Sequence, residues 1–178
     1  MIYPTIIAAL TAFDQLIKQK IEQDTEGSYP RELNQTNGKI YLYRNHNSGF
    51  SFGFLKEYPE IIRAIPLVSV SAIGGVLAFL LPRKGYHLHK LALSLVLAGG
   101  ISNLYDRLCR GYVVDYFSIR WKQLEKVVLN LGDVFIFSGA ILYVKAELLS
   151  YLKEVCASSS KRVRVPQKLG KPSSTNKD

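Results

Sequence analysis

The sequence predicts a mainly α-helical membrane protein, with four transmembrane helices, a small extracytoplasmic β-cradle and both termini cytoplasmic. Three observations predict it. Charge is absent from long stretches of the chain, one of them 19 residues from Ala64 to Pro82. Basic residues gather in the segments that would share one side of a bilayer. The remaining ionisable residues inside the apolar stretches fall in short polar clusters, not at random. The averages conceal this. The 178 residues are 48% hydrophobic and 21% charged with net charge +9, and the mean hydropathy of +0.07 would suit a basic soluble domain.

The first span is expected at about 2–21, apolar except for Asp14, Lys18 and Lys20. No Lys or Arg precedes it and Asp14 interrupts it, so it reads as a retained span, not a cleaved leader. The second is expected at about 62–82. Its charge-free core is roughly 28 Å of helix at about 1.5 Å per residue, close to the hydrocarbon thickness of a bilayer. The third, about 89–109, contains 15 uncharged residues from Leu91 to Tyr105. The fourth, about 129–152, carries Asp133, Lys145 and Glu147 in an otherwise apolar stretch. A single such run is more often a buried helix of a soluble protein, but four in one short chain point to a membrane.

Charge sets the orientation. The loop Arg83–Lys90 has three Lys/Arg and no acid, and residues 153–178 hold seven Lys/Arg against two acids. Both lie on one side of a four-span protein, and the positive-inside rule makes that side cytoplasmic. The segments at about 22–61 and 110–128 then lie outside. Residues 1–152 form the membrane domain, and 153–178 are expected to be a basic, disordered tail, rich in Ser and Pro. The tail lacks aromatics interleaved with its basic residues. It therefore suits anionic lipid better than nucleic acid. Cys109 and Cys156 fall near opposite faces, which argues against a disulfide, and no Cys/His spacing suggests a metal site.

Ionisable residues within spans are costly and usually mark a functional interior. Asp14 and Lys18 share a helix face at i,i+4 and are expected to pair. Outside, Ile40–Tyr43 and Asn47–Phe54 alternate polar and aromatic residues like a small hairpin, which could also cradle an extended peptide. At the outer end of the third span, Asn103, Asp106 and Arg107 share a face, beside the paired Gly99 and Gly100. A β-branched stretch then carries Asp115, and Asn130 and Asp133 open the fourth span. Topology places Asp115 and Asp133 at similar depth. Two such carboxylates can share a proton and activate water, coordinate a cation, or pair separately with Arg or Lys.

In order, DQLIK at 14–18, NSGFSF at 47–52, GGISNLYDR at 99–107, GYVVDYF at 111–117 and NLGD at 130–133 resemble the five segments of signal peptidase II, the bacterial lipoprotein signal peptidase. The resemblance runs from residue 14 to about 145. It implies an intramembrane aspartic endopeptidase of the bacterial cytoplasmic membrane, multi-pass, with its active site near the extracytoplasmic face. Its substrates would be lipid-modified prolipoproteins, cut just before the diacylglyceryl-modified cysteine. By position Asp115 and Asp133 would be catalytic. Asn47, Gly49, Asn103, Arg107 and Asn130 would line the site, Asp14 and Lys18 would brace the first span, and Asp106 would orient Arg107. The family uses no metal or organic cofactor, and globomycin-type inhibitors and membrane lipid are the other implied partners. Phe50, Ile17 and Gly132 depart from the family's usual small residue, Thr and Ala, which bears on substrate preference. Two competing readings are a catalytically idle paralogue that binds lipoproteins and a small proton-coupled transporter. A transporter would spread its polar residues through the full bilayer depth, whereas these concentrate toward one face.

Overall fold

The computed structural model describes residues 2–25, 27–49, 57–121 and 125–163. Its elements run α1 (Ile2–Gln23), β1 (Arg31–Glu32), β2 (Ile40–Asn47), α2 (Pro59–Leu80), α3 (His87–Cys109), β3 (Val113–Ile119) and α4 (Leu131–Val163). α3 is the central helix and packs against the other three. Its residues explain that position. Ala92, Leu93, Leu97 and Ala98 are buried, but so are Ser94, Ser102, Asn103, Asp106 and Arg107, so α3 turns polar side chains inward rather than toward lipid.

The apolar burden is carried elsewhere. α2, at a mean hydropathy of 2.0, and the Leu131–Ser158 stretch of α4, at 1.4, are long and apolar enough to cross a membrane. Their exposed faces bear Leu67, Val68 and Phe79 on α2 and Phe137, Ile141 and Val144 on α4. In water such faces would be a liability, whereas a bilayer solvates them. α1 is less apolar because Asp14 and Lys18 sit inside the bundle.

Close helix contact depends on a missing side chain at one point in particular. A Cβ on Gly99 of α3 would collide with the backbone carbonyl of Gly132 at the start of α4. That approach brings the first turn of α4 against α3 beside Asn103. α3 ends at Cys109, and Gly111 just beyond it, with a φ of +83°, lets the chain reverse into β3 without strain.

The three strands form an antiparallel sheet in the order β1-β2-β3. Asn45 stands opposite Asp115 and Asn47 opposite Val113, with an irregularity between Leu42 and Asn45. β3 also bridges to Leu129 on its other side. Of the expected hairpin between 40–43 and 47–54, residues 40–47 form the single strand β2. Its partners are β1 and β3. The second strand expected there reaches into residues 50–56, which lie outside those described, as does Phe50.

The other departure concerns the tail. α4 continues without a break past the expected boundary at 153 to Val163. Leu152, Lys153, Glu154 and Ala157 favour helix, and no Pro or Gly intervenes before Pro166. The rest of the expected tail, 164–178, is outside the described residues.

Candidate active site

Five polar clusters scattered from residue 14 to residue 133 converge at one end of the bundle, where α1, α3 and α4 meet the sheet. Asp115 comes from the middle of β3 and is buried. Its Oδ1 accepts a hydrogen bond from Asn130 Nδ2 at 2.8 Å and its Oδ2 one from Asn47 Nδ2 at 3.1 Å. Burial pushes this carboxyl up to about 6, and the charge of Asp133 adds to the rise.

Asp133 lies in the first turn of α4, where a carboxylate also complements the helix dipole. It and Asn130 form a reciprocal cap. The Asp133 amide donates to Asn130 Oδ1 at 2.9 Å, and the Asn130 amide donates to Asp133 Oδ2 at 3.3 Å. The other oxygen, Oδ1, accepts from Asn103 Nδ2 at 2.9 Å. Asn130 is fully buried, and its side chain is bonded to both carboxylate-bearing residues.

Behind this pair lies an ion cluster sealed from solvent. Lys18 Nζ stands 3.0 Å from Asp14 Oδ2 and 2.9 Å from Asp106 Oδ2, with all three side chains at 0% exposure. Its third strong contact is Asn103 Oδ1 at 2.8 Å. Lys18 thus fixes which way the Asn103 amide faces, leaving the NH2 group to serve Asp133. Asp106 further accepts from Gln15 at 3.1 Å, from the Val114 amide at 3.2 Å and from Arg110. It ties α1 and the start of β3 to α3. Arg107 Nη2 donates to the Gly49 carbonyl at 3.0 Å, while the Gly49 amide donates to Asn47 Oδ1 at 3.1 Å. The 47–49 turn is therefore anchored to α3 by Arg107.

All ten residues singled out from the sequence fall in this one region. Two departures from the family pattern also have a place. Ile17 packs against the apolar cluster of Ile21, Val114 and Tyr116. A Cβ on Gly132 would lie 2.9 Å from Asn130 Oδ1 and 3.2 Å from both Asn103 Oδ1 and Asp14 Oδ2, so the bare glycine leaves those oxygens room. The sequence reading missed Ser102, whose Oγ donates to Asp14 Oδ2 at 2.5 Å, and Tyr116, whose hydroxyl donates to Asp14 Oδ1 at 2.9 Å. A hydroxyl beside Asn103 was the only available hint for Ser102.

A family profile described as signal peptidase (SPase) II matches residues 6–149, which takes in every residue of this cluster. The chain belongs to the signal peptidase II family. The lipoprotein signal peptidase of Mesorhizobium japonicum is 29% identical over 85% of this chain and 88% of its own length. That of Caldicellulosiruptor bescii is 30% identical over 80% of this chain and 87% of its own. The fold agrees with a bacterial membrane enzyme solved by the in meso method at 2.3 Å, with a TM-score of 0.71 at 22% identity over 84% of this chain and 88% of that one. A second, solved at 1.9 Å, gives a TM-score of 0.68 at 23% identity over 82% of this chain and 92% of that one. As a signal peptidase II, the protein is a membrane protease, and the two apolar helices are consistent with that setting.

Proposed function

We propose that this protein is an intramembrane aspartic endopeptidase that removes the signal peptide from diacylglyceryl-modified prolipoproteins, cutting just before the modified cysteine. The removal of lipoprotein signal peptides follows from its family. The observation that carries the mechanism is Asn130, which holds Asp115 through its Nδ2 and Asp133 through its Oδ1 and backbone amide.

In the proposed reaction the pair carries one proton between its two carboxyls. The ionised member takes a proton from water as the water oxygen attacks the scissile carbonyl carbon. The protonated member gives its proton to the carbonyl oxygen, forming a neutral gem-diol. As the C–N bond breaks, the amine leaves with a proton from the first aspartate and the gem-diol returns one to the second. The products are a free carboxylic acid and a new amino terminus, and the pair is restored with one proton. No metal or organic cofactor is needed for this sequence. A raised carboxyl at Asp115 helps, because sharing a proton near neutral pH requires one member well above the usual carboxylate range.

Asn47, Gly49, Asn103, Arg107 and Asn130 line the proposed site. The cradle formed by β2, β3 and the 47–49 turn is the surface on which an extended signal peptide would lie. In the proposed topology all four helices span the cytoplasmic membrane, with both termini inside and the aspartates near the outer face. α1 and α3, with 22 and 23 residues, measure about 33 Å at about 1.5 Å per residue, enough to cross the hydrocarbon. Membrane lipid surrounds the bundle, and globomycin would compete for the peptide groove.

The test uses purified protein in detergent or vesicles with one precursor peptide, prepared with and without the diacylglyceryl group on its cysteine. Cleavage before the modified cysteine, blocked by globomycin and weaker by about 100-fold or more without the lipid, is expected, since anchoring at the interface supplies most of the positioning. Equal cleavage of both peptides, or none of either, contradicts the proposal.

A further inference from the structure

The two neighbours of Asp115 in the chain are tied to the two carboxylates that flank Lys18. On one side the Val114 amide donates to Asp106 Oδ2 at 3.2 Å. On the other the Tyr116 hydroxyl donates to Asp14 Oδ1 at 2.9 Å. The same hydroxyl accepts a bond from the Leu131 amide at 3.0 Å. Leu131 is the first residue of α4, and its N–H is one of the four that a helix start leaves without an internal partner. The Tyr116 oxygen therefore joins three elements: β3, which carries Asp115; α4, which carries Asp133; and α1, whose Asp14 is locked by Lys18. The tyrosine is buried, with its ring in the cluster of Ile21 and Val114. Burial pushes its phenol above the usual range, with the Asp14 charge adding, so the hydroxyl keeps the proton it donates.

We propose that Tyr116 is a positioning residue that sets the separation of Asp115 and Asp133 by tethering the first amide of α4 to the strand beside Asp115. This rests on the aspartic mechanism above and adds to it. Asn130 bonds both carboxylates from one end, but a single asparagine on the cap of α4 moves with α4. The backbone of Tyr116 and Phe117 also pairs with Leu129, just before α4, and the Tyr116 hydroxyl adds an attachment inside the helix itself, whose other end is the buried Asp14–Lys18–Asp106 cluster. With the Tyr116 bond added to these, the distance between strand and helix start is fixed, and so is the strength with which the carboxyls influence each other's protonation.

Tyr116→Phe removes the hydroxyl and leaves the ring in place. kcat is expected to fall about tenfold, as small misplacements of reacting groups do, with KM within about twofold of wild type. The kcat/KM pH profile should narrow, because a looser pair couples less and its two apparent pKa values converge. The charged groups that face the pair from the surrounding helices, Arg107, Lys18, Asp14 and Asp106, are unchanged by the substitution. Leu131→Pro deletes the same bond from its donor side, since proline is tolerated at the first helical position. It should lower kcat in the same direction, and the double variant should lose little more than either single one. Ile21→Val loosens the same apolar cluster without touching the tether. It should lower the thermal midpoint while leaving kcat and the width of the profile unchanged.

Wild-type kcat and profile width in folded Tyr116→Phe overturn the proposal, as does a loss that merely tracks the folded fraction. If Tyr116→Phe does not fold, wild-type kcat in Leu131→Pro overturns it instead. Asp115→Asn and Asp133→Asn, run alongside, separate the two levels. Activity in those variants defeats the aspartic mechanism, whereas inert aspartate variants with a normal Tyr116→Phe defeat only the tether.

Discussion

Asp115→Asn and Asp133→Asn are each expected to reduce cleavage of a lipidated precursor by at least about 1,000-fold while the protein remains folded. The substitutions are nearly isosteric, and the surroundings explain why the fold survives. Asp115 is held by two asparagine NH2 groups, at 2.8 and 3.1 Å, and an Asn in its place keeps one oxygen to accept from them. Asp133 caps α4 reciprocally with Asn130, a role that asparagine also fills. What neither variant retains is the exchange of a proton. General acid and general base assistance each contribute about 100- to 10,000-fold, and in a shared pair the loss of one carboxyl ends both roles. The check is kcat on a lipidated peptide, with the thermal midpoint of each variant measured in the same detergent. Wild-type kcat in either variant contradicts the assignment.

Lys18→Met is expected to be the most damaging single change to stability, at about 3–5 kcal/mol. The ammonium lies between Asp14 and Asp106, and nothing in that cluster reaches solvent on the Lys18 side. With the charge removed, two buried carboxylates face each other without the ammonium between them, while Arg110, partly exposed, still pairs with Asp106. The thermal midpoint should drop by on the order of 10 °C. Charge counting gives a sharper expectation. Asp14, Lys18, Asp106 and Arg110 sum to zero, Lys18→Met leaves −1, and adding Asp14→Asn restores zero. The double variant should therefore melt above Lys18→Met alone, although each substitution is destabilising by itself. A double variant that melts at the additive sum of the two losses would show that the cluster is not held by its charge balance.

Much of this arrangement was legible in the sequence, for identifiable reasons. The charge-free run at 64–82 announced α2 because a span must satisfy a length and a composition together. Asp14 and Lys18 announced their pairing through i,i+4 spacing, which is local. The second carboxylate on Lys18, Asp106, lies far along the chain, and no periodicity connects the two. β2 and β3 pair across a similar distance, so the meeting of Asn47 with Asp115 could be expected only by resemblance to a family. Tyr116 was hidden by the strand period itself. Alternation sends its side chain to the face opposite Asp115, and only long-range packing brings its hydroxyl to Asp14 of α1 and the Leu131 amide of α4. The end of α4 at Val163 is not legible, because Ser158–Ser160 resemble a linker in composition, yet serines continue a helix that no proline or glycine interrupts.

The most direct test of the central claim, that two aspartates activate water without a covalent intermediate, is a single turnover in water enriched in oxygen-18. Enzyme in excess over lipidated precursor would be quenched at successive times, and both protein and released signal peptide weighed by mass spectrometry. Unmodified protein at every time point and one oxygen-18 in the new carboxyl group of the peptide are expected. A protein species heavier by the mass of the signal peptide, rising and then decaying as product appears, would contradict it.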